Sequence, residues 1–214
     1  MALPGTNGNG DFLPIIKYNA KEGRFFARNR NQQPDGTYAS EEIEIPLPLS
    51  LLVDFQSLEI GWVCLKDGQF DMRYVPYPLD MQLAGTPPDC GPRPSAGHNM
   101  GFRMLVKTRE GEIRHFGHSS MIVYKAFSAL HDAFLAAPEA KDTTKSPVLR
   151  VERVEPVTGK HGKNYEPKFA LGRFTDRPEE FDDHQPEPVF AEEFAPAGSN
   201  NRHPDSTGED DLPF

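Results

Sequence analysis

The 214-residue sequence predicts a mainly β domain carrying one long helix and an acidic C-terminal arm. Three observations lead there. Short runs of alternating apolar residues lie between Gly, Pro and Asn punctuation, a single stretch of period 3.6 occupies 119–137, and the composition changes sharply at Asp176. About eight short strands with one interposed helix predict a small, partly open barrel. A β-sandwich with an accessory helix is the competing architecture.

The elements follow in chain order. Met1 to Asp11 is rich in Gly, Asn and Pro and is expected to be a flexible N-terminus; Phe12–Tyr18 opens the first strand. Lys21-Glu22-Gly23 turns the chain into Arg24–Arg28, and Asn31–Tyr38, with Pro34-Asp35-Gly36, is a loop or turn. Ile43–Ile45 alternates, and Leu49–Val53 is a separate apolar run beyond Pro46 and Pro48. Ile60–Leu65 and Phe70–Val75 flank Lys66-Asp67-Gly68-Gln69, a short hairpin pattern. Residues 84–99 repeat Gly and Pro and read as a long surface loop. A second hairpin joins Gly101–Lys107 to Ile113–Phe116.

Ser119 or Ser120 can cap the helix, whose Val123, Phe127, Leu130 and Phe134 share one face, and Pro138 marks its end. That stripe is core packing. Val148–Val154 and Phe169–Phe174 complete the strands.

From Asp176 onward there are 12 acidic residues against Arg177 and Arg202, a segment charge of −10. The whole chain is −9, so residues 1–175 come to +1. The acidic pI therefore misrepresents the body, whose cations are free to cluster. Proline at 178, 186, 188, 196, 204 and 213 leaves too little apolar surface to offset ordering entropy, so 176–208 is expected to be a disordered arm. Phe181, Phe190 and Phe194 are its exceptions, each able to fold back onto the body or to serve as a secondary sticker.

A body spanning 12–175 fits one domain. There is no apolar run approaching ~18 residues, no secretory apolar region, and only Cys64 and Cys90, which make neither a disulfide framework nor a close metal-binding pair. A cytoplasmic, reduced setting away from membranes is expected. The chain lacks a Gly-rich phosphate loop, zinc-ligand spacing and a Gly-x-Ser-x-Gly elbow, so neither an enzyme nor a cofactor or metal is expected. His115 and His118 sit on a strand pattern without a third ligand at motif spacing, and Asp54, Glu59 and Asp71 show no spacing that asks for a carboxylate cluster.

Basic residues interleave with aromatics instead. Arg24, Phe26, Arg28 and Arg30 form one group; Arg73 with Tyr74, Phe102 with Arg103, and Arg114 form others; Lys163, Tyr165 and Lys168 form the last. Rings that stack under bases and cations that track phosphates hold single-stranded DNA without sequence preference. Period 2 puts Arg24 and Phe26 on one face and Phe25 and Ala27 on the other. Any β domain also buries aromatics and solvates arginines, so the repetition carries the reading.

The chain closes on Glu209-Asp210-Asp211-Leu212-Pro213-Phe214. Carboxylates ahead of an apolar residue, a stiffening proline and an aromatic ring suit a pocket with an apolar floor and a basic lip. This tip resembles the acidic C-terminus of bacterial and phage single-stranded DNA-binding proteins, which end in Asp-Asp-Asp-Ile-Pro-Phe behind an OB-fold domain. The likeness covers six positions. It implies an elaborated OB-fold-like barrel over 12–175 and single-stranded DNA binding and protection in replication, recombination and repair. It also implies recruitment of partner proteins through residues 209–214. The body is longer than the bacterial housekeeping type, with the 84–99 insertion, and the arm lacks Gln/Gly repetition. Those departures suggest a phage, prophage or plasmid version, a possible homo-oligomer that need not be a tetramer. Two rivals stand beside this reading: an adaptor that mimics the tip to occupy host repair proteins without binding DNA, and a structural phage protein with an incidental acidic tail.

Overall fold

One long strand, β4 (Leu49–Lys66), organises the chain. The two apolar runs read separately in the sequence join here, because a register shift between Asp54 and Glu59 absorbs the polar residues between them. The computed structural model describes residues 13–32, 38–66, 69–159 and 162–185.

Along one edge β4 pairs antiparallel with β6 (Asn99–Lys107). Along the other its first residues pair with β8 (Lys145–Gly159) and its later ones with β5 (Gln69–Pro76). The remaining strands are β1 (Ile15–Asn19), β2 (Arg24–Gln32), β3 (Tyr38–Ile45), β7 (Ile113–His118) and β9 (Gly162–Asp176). Among the described residues these nine strands form one sheet in the order β3-β2-β1-β7-β6-β4-β8-β9, with β5 beside β4. Pairing is antiparallel except between β1 and β7. Both expected hairpins form, β4–β5 and β6–β7. Val148–Val154 and Phe169–Phe174 prove to be parts of a much longer ribbon, β8–β9.

The expected OB-fold-like barrel is not what forms. The sheet is open: β3 and β9 end it and share no ladder. One sheet also leaves no partner sheet for a sandwich. The physical reason lies in what covers the inner face. A barrel buries that face against its own strands, whereas here helix α2 (Met121–Ala136) supplies the second layer. The Ser120 hydroxyl caps α2 by accepting the Val123 N–H, and Val123, Phe127, Leu130 and Phe134 are all buried as their spacing predicts. Phe127 stacks on Phe102 of β6 with ring centroids 3.8 Å apart, and Phe134 stacks on Phe55 of β4 at 4.0 Å. Ile16, Tyr18, Phe25, Met104, Val106 and Phe116 complete the same core.

Three short elements escaped the sequence reading, one of them a 3-10 turn, Pro138–Lys141, directly after α2. A short helix, α1 (Leu79–Leu83), carries the buried Gln82, whose amide donates to the Phe55 carbonyl at 2.7 Å and whose oxygen lies 2.9 Å from His131. The expected arm begins at 176, yet its first ten residues are described. A 3-10 turn, Glu179–His184, lies against the sheet with Phe181 fully buried.

Candidate nucleic-acid interface

Phe25 points into the core from β2, so its neighbours Arg24, Phe26 and Arg28 take the opposite, outer face. Across the β1–β2 ladder Lys17 faces Phe26, and across β2–β3 Phe26 and Arg28 face Glu44 and Glu42. Lys17 reaches Glu42 at 2.8 Å, Arg28 lies 3.7 Å from the same carboxylate, and Arg24 meets Glu44 at 3.3 Å. These pairs are exposed. Such pairs contribute only ~0–1 kcal/mol each, so a phosphate can exchange for the carboxylate. Arg30 continues β2 opposite Ser40, and its side chain lies outside the described residues.

A second basic-aromatic group joins them from far along the chain. Gly23, in a left-handed turn at φ 71°, packs against Tyr165 of β9: a Cβ there would stand 2.9 Å from the Tyr165 ring. The Tyr165 N–H donates to the Ala20 carbonyl at 2.7 Å, and the Tyr18 hydroxyl donates to the Tyr165 carbonyl at 2.9 Å. Lys163 sits 4.9 Å from the centre of the Tyr165 ring. Lys163 and Tyr165 therefore lie beside the β1–β2 turn that precedes Arg24. Lys168 belongs to the same ribbon, held by Glu155 at 3.1 Å and Glu166 at 2.6 Å.

Other predicted residues are not brought there. Phe102 is wholly inside the core, because β6 needs that face for α2, and it offers no ring to a base. Arg114 is also on the inner side: Phe116 must face the core, and two residues back Arg114 shares its face. Arg114 is 4% exposed and its guanidinium bonds Glu112 at 2.7 Å and Asn29 at 2.8 Å. Arg73 forms three hydrogen bonds with Asp71 on β5. Arg103 pairs with Glu59 at 2.6 Å and lies 4.8 Å over the Tyr74 ring. Burial pushes the Glu59 carboxyl up against the pull of Arg103, and pushes the Tyr74 hydroxyl up to about 12. Arg103, Tyr74 and Glu59 therefore act as one packed unit at the β4–β5–β6 junction.

The 84–98 loop is fastened rather than loose. Trp62 donates to the Gly91 carbonyl at 3.0 Å, and Arg93 caps the His98 and Ala96 carbonyls. Ser95, His98 and Asp71 form a chain at 2.8 and 3.0 Å that holds the loop to β5. Among the described residues no group of three or more His, Cys, Asp or Glu can hold a metal ion.

Phe181, one of the residues expected to be able to fold back onto the body, does so on the outer face. Arg177 pairs with the buried Asp54 of β4, Lys107 of β6 reaches Glu180 at 2.6 Å, and His184 acts electrostatically on His115 of β7. Those three anchors surround Leu105, the register partner of both Asp54 and His115. Leu105 faces away from α2 yet is only 2% exposed, on the face where Arg177 and Glu180 pair with its neighbours Asp54 and Lys107. Burial, the Arg103 charge and His184 together hold the His115 imidazole down at about 3. A Phe among four acids, Glu179-Glu180-Phe181-Asp182-Asp183, was the one sequence signal for this contact. The tip, Glu209, Asp210, Asp211, Leu212, Pro213 and Phe214, lies outside the described residues.

No family model matches the chain, and no curated protein or solved structure is significantly similar to it. Among the described residues no helix is long and apolar enough to cross a membrane.

Proposed function

We propose that the chain binds single-stranded DNA without sequence preference, through the outer surface of β1–β2 and the adjoining foot of the β8–β9 ribbon. The approach of Lys163 and Tyr165 to the β1–β2 turn just ahead of Arg24 and Phe26 carries this reading. Cations there exchange carboxylate partners for phosphates, and Phe26 and Tyr165 supply rings for stacking. Residues 209–214 recruit replication, recombination and repair proteins, and the −10 segment competes with DNA for the cations when no strand is bound. A cytoplasmic setting goes with this role.

The test is a salt-resolved titration of labelled oligo-dT. Charge reversal at Arg24 or Arg28 weakens binding alike for all sequences and shrinks the log–log salt slope by about 0.7 per lost contact. Alanine at Phe26 or Tyr165 costs roughly 1–3 kcal/mol through lost stacking. Wild-type affinity in all four variants would remove the interface. A second reading, an adaptor that displays the tip without binding DNA, is favoured by the carboxylates that hold Arg73, Arg103 and Arg114; absence of any oligo-dT binding selects it.

A further inference from the structure

We infer that Ser95 is an activated nucleophile that takes an acyl group from small activated esters and thioesters, with His98 as its general base and Asp71 positioning that base. The inference is independent of the single-stranded DNA reading. Three side chains, from the 84–98 loop and β5, stand in relay. The Ser95 Oγ lies 2.8 Å from His98 Nδ1, and His98 Nε2 lies 3.0 Å from Asp71 Oδ2.

A turn sets this up. The His98 N–H donates to the Ser95 carbonyl at 3.1 Å, closing four residues so that hydroxyl and imidazole meet. Arg93 fixes the turn, donating to the Ala96 carbonyl at 2.8 Å and to the His98 carbonyl at 2.7 Å. Gly97 seats it on β4, where a Cβ would stand 3.2 Å from the Cys64 sulfur. His98 is only 5% exposed, whereas Ser95 is exposed. The base is therefore held rigidly and the nucleophile is open to a substrate.

Charge decides which way the protons point. The Arg73 guanidinium, and then His98, hold the Asp71 carboxyl below the usual carboxylate range, so Asp71 is an anion and accepts. Nε2 then carries the imidazole proton, which leaves the Nδ1 lone pair to accept the Ser95 hydroxyl. The Gly97 N–H donates to the same hydroxyl oxygen at 3.2 Å, leaving its hydrogen for Nδ1. Nucleophile, base and orienter are recognised by such roles, not by chain position. Fastening the loop to β5 needs only the His98–Asp71 bond, and the Ser95 bond reaches no further than its own turn.

In the step, the Ser95 oxygen bonds the acyl carbon and its proton passes to His98 Nδ1. The bond from that carbon to the leaving oxygen or sulfur breaks, and the leaving group takes the bonding pair and then the proton. Acyl-Ser95 and a free phenol, alcohol or thiol result. Asp71 shares its charge with Arg73 at 3.0 Å, which weakens its support of the imidazolium. Donors with good leaving groups, aryl esters and thioesters, are therefore the class that reacts.

The experiment treats the full chain with p-nitrophenyl acetate and locates acetyl groups over time by peptide mass analysis. Ser95 is expected to acetylate at least about tenfold faster than Ser50, an exposed serine of β4. His98→Gln is expected to slow Ser95 acetylation by on the order of 100-fold, and Asp71→Asn several-fold. Trp62, the chain's one tryptophan, donates to the Gly91 carbonyl of this loop, so its emission reports whether the loop stays seated. Where one variant shifts that emission, the other variant and the comparison of Ser95 with Ser50 decide. Acetylation of Ser95 no faster than of Ser50, or at the wild-type rate in either variant, overturns the inference and leaves the relay as a loop fastening. Oligo-dT binding stands or falls separately.

Discussion

The Arg177 guanidinium closes on the Asp54 carboxylate in a fork, Nε to Oδ1 at 3.1 Å and Nη2 to Oδ2 at 3.0 Å, across 123 positions of sequence. Asp54 is 1% exposed, so the pair is a buried one. Removing one partner of a buried pair strands the other charge. Asp54→Ala is therefore expected to lower unfolding stability by about 3–5 kcal/mol. Urea denaturation measures it; a loss under about 1 kcal/mol, typical of surface pairs, would show that the fork is solvated.

Phe127 makes the tightest ring stack between α2 and the sheet, 3.8 Å from Phe102 with planes 7° apart. Phe127→Ala is expected to cost roughly 3–5 kcal/mol through lost burial and the cavity left behind. Thermal unfolding reads this directly, and an unchanged Tm would mean that α2 does not carry the second layer.

Stability is expected to fall on the acid side of neutrality. Burial lowers the imidazole of His115 to about 3 and also lowers those of His118 and His131. In the unfolded chain these groups take up protons near 6.5, so below that pH the unfolded state binds more protons than the folded one. The stability they supply is complete above about 6.5 and declines as pH falls towards 3. Urea midpoints between pH 7.5 and 4 test the sign; His115→Gln should flatten the decline, and an equal slope in that variant would exonerate His115.

Phe214 is expected to anchor partner proteins. Deleting it should abolish capture of replication and repair factors while leaving the unfolding midpoint and oligo-dT affinity unchanged, since the ring serves the partner alone. Calorimetry against purified host factors decides the point, and equal heats for both forms would count against recruitment by the tip.

Period and capping made α2 legible, including all four of its buried side chains, because helix patterning is local information. The hairpins were legible for the same reason. Closure of the sheet was not, since β3 and β9 alternate in the same way whether or not they pair with one another; only the long-range register fixes that they do not. The face of Arg114 followed from Phe116 two residues on, yet choosing that face required knowing that β7 lies under the core. Tyr165 and Gly23 meet across more than 140 residues, and nothing in either local sequence signals it. Phe181 was visible as an oddity among acids, but its burial beside the Arg177–Asp54 pair depends on strand order.

Among the described residues β3 is a border of the open sheet, and that border carries Glu41, Glu42 and Glu44. A bare strand edge is a template on which further chains can grow. Two copies meeting there antiparallel about Glu42 would set glutamate against glutamate at contact distance, and like charges directly opposite repel. The same carboxylates that hold Lys17, Arg24 and Arg28 in place thus make the border self-rejecting, so that crowding many copies together need not turn an open sheet into a fibre.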